Sequence, residues 1–342
     1  MSGRSAYDEA AAEIRRRPVG SDRDDSELIR MATLAASSHN TQPWIFSITP
    51  DAILIRADLD RRCPVVDPDD AHLHKSLGCA AENMVQAAVT QGIAPNVTVD
   101  AASGEVTVEL DQRIAPGANP LSDAILARQC TRTAYDGTPI SSDQLATLEE
   151  AGTLGSARCL ILTDTERLHG VAEFVTRGNL AQLDDTRFRR ELVSWIRFNP
   201  AAALSTRDGL AGRATGQPAV PTWFGTALQR LLLKADKQAG LDADRLASSA
   251  GVAVIVTNGN EVTDWVDAGR AYQRFALQAE AFDIRTAFVN QPIEVTGLRP
   301  EFESWLGLTD KRAQLAVRFG HGPRTPNSLR RPVDDVTVTD EV

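Results

Sequence analysis

The feature that most constrains the fold is a pair of long helices, rich in small residues and set far apart in the chain. "DPDDAHLHKSLGCAAENMVQAAVTQGI" reads as the first, with Asp69 or Asp70 at its N-cap. Leu73, Leu77, Ala80, Ala81, Met84 and Ala88 recur along its apolar face, and Gly78, Ala80 and Ala81 let another helix approach closely. "DWVDAGRAYQRFALQAEAFDI" reads as the second, with Trp265, Ala268, Tyr272, Phe275, Ala276, Ala279 and Phe282 on one side.

Each long helix sits among short strands and other helices. A helix is expected from about Asp24 to Ala35, then a hairpin of "WIFSIT" and "AILIRADL". "NVTVD" and "EVTVEL" form a second hairpin after the first long helix, with "SG" in the turn. A Gly/Pro-bearing linker at Pro116 to Pro120 opens a new unit. There "SDAILARQCTRTAYDGTPISSDQLATLEEAG" gives a helix, an irregular turn and a helix capped at Ser141 or Ser142. "ARCLILTD", "SSAGVAVIVTNG" and "AQLAVRFGHGP" are strands. From Glu166 to Ala235 the pattern is helical in patches, broken by "NPAA", "GLAGRATGQPAVP" and "TWFG". The stretch from about 184 to 235 reads as a lid or packing arm, bearing Trp195, Phe198, Trp223 and Phe224, aromatics more often core than substrate platforms. Without regular strand–helix alternation the fold class is α+β, in two related halves, 1–120 and a fuller 121–342, with mixed or antiparallel sheets.

The totals exclude several functions. A net charge of −10 argues against a nucleic-acid backbone as partner. Cys63, Cys79, Cys130 and Cys159 show no metal-binding spacing and read as reduced thiols of a cytoplasmic protein. The charged start "MSGRSAYDEAAAEIRRRPVG" has no apolar signal region, and no run is long enough for a membrane span. No metal is expected: His72 and His74, two apart, point to different faces, and a solvated first turn suits them better. "GLAGRATG" lacks the lysine ending of a phosphate loop, no G-x-G-x-x-G follows a strand, and no G-x-S-x-G elbow exposes a serine.

Two features carry chemistry instead. "LAASSHNTQPW" crowds hydrogen-bonding groups into one turn; it either caps its own helix and leaves as a loop, or holds a polar, flat and large ligand. Arg128 and Arg132, four apart, and the tail arginines Arg324, Arg330 and Arg331 are either solvated surface or a clamp for a dianion, since forked donors suit phosphate oxygens.

"ILARQCTRTAYDGTPISSDQLATLEEAG" resembles the opening of flavin-dependent nitroreductases, and "AASSHNTQPWIF" is similar to that family's Pro-Ser-Ser-x-Asn-x-Gln-Pro-Trp turn, with Ala36 in the proline position. Their reversed order, with "NQPIEV", "AVRFGHGP" and "SLRRPVDDV", resembles the Acg-like branch, in which two nitroreductase halves are fused into an internal pseudo-dimer. The likeness leaves out roughly the first twenty residues and is loose over the lid-like insertion. It implies a nitroreductase-like fold and one FMN per chain, clasped by Ser37, Ser38, His39 and Asn40 of the first half and Arg128, Gln129, Cys130 and Arg132 of the second. It further places Pro292, Ile293 and Glu294 against the flavin ring, Arg132 beside its pyrimidine end, and Arg330 with Arg331 at the phosphate, Arg324 being a less close match. The implied activity is transfer of electrons from NAD(P)H or another donor to a nitro, quinone or similar acceptor, in a monomeric chain. The alternatives are a flavin-storing or redox-sensing protein with a covered site, and a scaffold that holds no flavin.

Overall fold

The computed structural model describes residues 3–18, 22–216, 218–223, 225 and 235–338. Strands β1 (Trp44–Ile48) and β2 (Ala52–Ala57) form the first antiparallel hairpin, β3 (Asn96–Val99) and β4 (Val106–Glu109) the second. Strand β5 (Arg158–Leu162) opens the second half, β6 (Ile196–Arg197) and β7 (Leu210–Ala211) pair in parallel within the insertion, and β8 (Gly251–Thr257), β9 (Arg285–Phe288), β10 (Arg312–Gly320) and β11 (Thr337–Val338) follow.

The two hairpins lie in one sheet of order β11-β1-β2-β4-β3, and the second half builds β5-β8-β10-β9. Strand β11 was not expected: the tail returns to the first half and pairs in parallel with β1, Phe46 opposite Thr337, with the Phe46 amide donating to the Val336 carbonyl at 2.8 Å. Strand β9 was also unforeseen, because "RTAF" is too short and too polar at its start to show alternation.

The unbroken apolar run of β8 has a simple cause. Ala253 and Ile255 face the large core around the long helices, while Val252, Val254 and Val256 face a second core beneath the helix Thr165–Asp184 and Phe302. A strand covered on both sides has no polar face to show.

The first central helix runs Ala71–Thr90 and the second Val262–Ala281. Asp70 occupies the N-cap position of the first in a left-handed conformation without a capping bond. The cap comes from further back: Asp67 accepts the amides of His72 and Leu73, both at 2.9 Å. The second begins with a reciprocal capping box between Glu261 and Asp264. The helix expected from Asp24 to Ala35 spans Asp25–Thr33, capped by Asp24. From Thr165 to Asp184 the chain is one continuous helix, not patches, because its breakers begin only afterwards.

Where the central helices cross, each presents a glycine to the other. A β-carbon on Gly78 would stand 2.1 Å from the Val266 carbonyl oxygen, and one on Gly269 would stand 2.0 Å from that of Lys75. Both are backbone contacts, so no side chain can swing aside. Gly78→Ala and Gly269→Ala must therefore push the helices apart, each at a cost of about 1–3 kcal/mol or more. The expected result is a lower urea midpoint for both, while Gly240→Ala, at an exposed helix position that would meet nothing within 4 Å, does not lower it and raises it slightly.

Candidate functional site

The helix Asp25–Thr33 ends at a turn that folds only with help. His39, Asn40 and Gln42 have φ of 48°, 57° and 55°, a region that residues other than glycine enter at a cost. Side chains compensate. The Ser37 hydroxyl accepts the Gln42 amide at 3.1 Å. The Asn40 carboxamide donates to the carbonyls of Gly209 (3.1 Å) and Leu329 (3.3 Å), and Gln42 donates to that of Arg207 at 2.9 Å. The polar turn thus joins the first half to the insertion and to the tail. Asp208 strengthens the junction through Arg61 (2.8 Å) and Arg197 (2.6 Å).

Two of the expected clamp arginines lie behind this turn. Arg330, 5% exposed, donates from Nε to Thr33 O, from Nη1 to Asn40 Oδ1 and Leu329 O, and from Nη2 to Leu34 O and Ala35 O. That spends all five N–H groups of a guanidinium, leaving none for a phosphate. Arg128, 2% exposed, gives one bond to Leu34 O at 3.0 Å and keeps an unpaired Nε. Both face the carbonyl end of the helix Asp25–Thr33, where cations are favoured.

In front of the turn lies a cavity of about 640 Å³. Ala36, Ser37, Ser38 and His39 supply one side, Arg132 and Glu294 another. His72, Lys75, Ser76 and Cys79 come from one face of the first central helix, and Tyr272 from the second. Phe288, Val289 and Leu315 add apolar surface from β9, the residue after it, and β10. The insertion closes the far side with Phe188, Leu192, Ile196 and Phe198. Trp195 lies under the Arg197 guanidinium at 5.8 Å, Trp223 is 76% exposed, and Phe224 lies outside the described residues.

The remaining expected residues are elsewhere. Gln129 bonds Thr325, Cys130 bridges to Thr286 beside β9, and Pro292 and Ile293 are buried, the latter in the second core. Arg324 pairs with Glu280 and Asp283 near the surface. Arg331 is held by Gln42, Asp58 and the Asp335 carbonyl. The cavity therefore gathers Ser37, Ser38, His39, Arg132 and Glu294 from the expected set, and Asn40, Arg128 and Arg330 support its turn from behind.

Cations outnumber carboxylates in its lining. Arg197 and Arg245 are paired with Asp208 and Asp242. Arg132 makes no hydrogen bond or ion pair with the described residues. Arg318, 2% exposed, donates to Thr131 O and Thr133 O through Nη2, lies over the Tyr135 ring at 4.1 Å, and keeps Nη1 unpaired. Lys75, 3% exposed, likewise has no hydrogen-bond or ion-pair partner among the described residues. Burial, then the Arg299 charge, push its ammonium down to about 7 against the pull of Asp67, Asp69 and Glu294. Burial lifts Glu294 to about 7, and enclosure with the Arg132 charge lowers His39 to about 4, leaving that imidazole neutral.

His72 overturns the expectation of a solvated first turn: it is 8% exposed and held neutral by burial, while His74 stacks on Trp265 at 6.0 Å. The sequence did carry the signal for this wall. His72, Lys75, Ser76 and Cys79 recur at helical spacing on a face that the apolar positions leave open. Arg318 had none, since an arginine inside a strand reads as an outward residue. Among the described residues no cluster suits a metal ion, and no helix is long and apolar enough to cross a membrane.

No protein-family model matches the chain. Two proteins from strains of Mycobacterium tuberculosis, each named "Putative NAD(P)H nitroreductase", are 23% identical over 322 residues, covering 89% of this chain and 88% of theirs. Part of the chain also superposes on solved structures. The nitroreductase-like family protein of Bacillus cereus gives a TM-score of 0.41 at 16% identity, over 65% of this chain and 96% of that one. A nitroreductase from Desulfitobacterium hafniense, solved with FMN, gives 0.40 at 15%, over 66% and 100%. The similarity in sequence to these two proteins runs almost end to end.

Proposed function

We propose that the chain is an FMN-dependent oxidoreductase of the nitroreductase type, with its flavin site formed between two fused halves as in the Acg-like branch. One observation carries the reading: the turn Ser37–His39 of the first half and Arg132 of the second line the same cavity. The residues present suit that cofactor. The volume lies within the roughly 300–1,000 Å³ of cofactor pockets. The lining alternates apolar surface with unspent cations, as a flat aromatic ring bearing polar edges and negative charge requires.

Bound FMN would supply two-electron chemistry, accepting a hydride from NAD(P)H and passing electrons to a nitro, quinone or similar acceptor. The chain would bind, orient and shield. Ser37 and Ser38 would offer polar groups to such a ring's edge, and Glu294, which lines the same cavity, is the residue that the resemblance sets against the ring. Arg132, which makes no ion pair with the described residues, would stabilise negative charge gathered beside it. Arg330, its five N–H groups spent, and Arg128, which lies outside the cavity lining, hold the turn instead of a phosphate.

Purified protein should be yellow with flavin absorbance, and anaerobic NADH or NADPH should bleach it rapidly. Bleaching by dithionite alone supports the covered, flavin-holding alternative, which the insertion's aromatic wall favours. A colourless protein overturns both.

The arginines should separate cleanly. Arg132→Met is expected to lower flavin occupancy with little change in the urea midpoint. Arg330→Met strips five bonds from buried carbonyls and a carboxamide, so it should lose on the order of 3 kcal/mol of stability. The reverse pattern in denaturation and flavin content would refute the division of roles.

A further inference from the structure

Lys75 is the cavity residue that the flavin reading leaves unused. It stands one turn into the first central helix, and its carbonyl is pinned against Gly269, so the side chain springs from one of the firmest points of the backbone. A buried ammonium without a partner costs several kcal/mol unless a ligand answers it. The nearby carboxylates do not: Asp67 is spent on two backbone amides, and Glu294 accepts from Gln182 Nε2 at 2.7 Å. His72 on the same face is neutral and offers no counter-charge.

We propose that Lys75 is a catalytic acid of this cavity, holding the carbonyl oxygen of a quinone-type acceptor by an ammonium N–H and giving it the proton that completes its reduction. The assignment rests on the flavin reading above. A quinone that receives a hydride from reduced flavin has gained two electrons and one proton. It needs one further proton to leave as a hydroquinone. The Lys75 N–H bond breaks, the product O–H bond forms, and the neutral amine regains its proton from water when the product departs. An ammonium poised near neutrality releases that proton far more readily than an ordinary lysine. The charged and titratable groups acting on it are Arg299, Asp67, Asp69 and Glu294, with His72 beside it, and their balance sets the window in which it works.

The test uses the full-length, flavin-loaded protein with Lys75→Met and Lys75→Arg, both checked for an unchanged urea midpoint or better. Protein reduced by dithionite is mixed anaerobically with 1,4-benzoquinone between pH 5.5 and 9. The wild type should reoxidise more slowly as pH rises through about 7, because the acid form is lost there. Lys75→Met should be slowed about 100-fold at pH 6 and be flat with pH. Lys75→Arg keeps a charge that does not release its proton, so it should also lose the break. A break that persists in Lys75→Met belongs to Glu294 or Asp67 and overturns the assignment, as does an unchanged rate.

A second arm needs neither flavin nor turnover. 4-Nitrophenol, read by the absorbance of its phenolate in difference spectra, should ionise at lower pH when bound to wild type and to Lys75→Arg, but not to Lys75→Met. Equal ionisation in all three sinks the Lys75 site whatever the flavin content, whereas a colourless protein sinks the flavin reading and the quinone step that rests on it, but not the oxyanion contact that this arm reads.

Discussion

The structure depends on how closely two helix backbones can approach. Gly78 and Gly269 each face the other helix's peptide chain, and no other residue fits at either place. That crossing fixes the distance between the two sheets, because the first packs on one helix and the second on the other. It also fixes the cavity, whose wall includes His72, Lys75, Ser76 and Cys79 from the first helix and Tyr272 from the second. Cys79 shows the intimacy of the contact, its thiol donating to the Gly269 carbonyl at 3.2 Å.

The second organising element is the strained turn after Thr33. A run so polar has two jobs, and the structure divides them by residue. Ser37, Ser38 and His39 face the cavity, while Asn40 and Gln42 tie down the insertion and the tail. Three left-handed residues persist there because Arg330 and the side-chain amides overdetermine them. The geometry of the turn is thus fastened from behind by groups that do not line the cavity.

The fold was readable where periodicity was strong. Both central helices, both hairpins and β5, β8 and β10 follow from apolar spacing and from turn residues, and the α+β class follows with them. What escaped lacked a local signature. β9 and β11 exist because a neighbouring strand edge offers partners, which only the tertiary fold reveals. The cap from Asp67 is a loop that doubles back, invisible to a rule that looks immediately before the helix. In the site, the turn and Arg132 were legible from composition and from the family likeness. Arg330 looked like a phosphate ligand because arginine type is readable while the acceptors around it are not. The spacing put Lys75 on one helix face with His72, Ser76 and Cys79, but nothing in it showed that this face is covered; a lone basic residue there reads as solvated, and burial reversed that.

The return of the tail has a consequence for biosynthesis. Strand β1 leaves the ribosome early, yet its outer partner β11 emerges almost the whole sequence later. Until then β1 is an open edge carrying Trp44 and Phe46, the kind of surface that recruits strangers. The nascent amino-terminal sheet must therefore wait unfinished, shielded by chaperones or by its own helices, and a message cut short before the codon for Thr337 would yield a product lacking that seal.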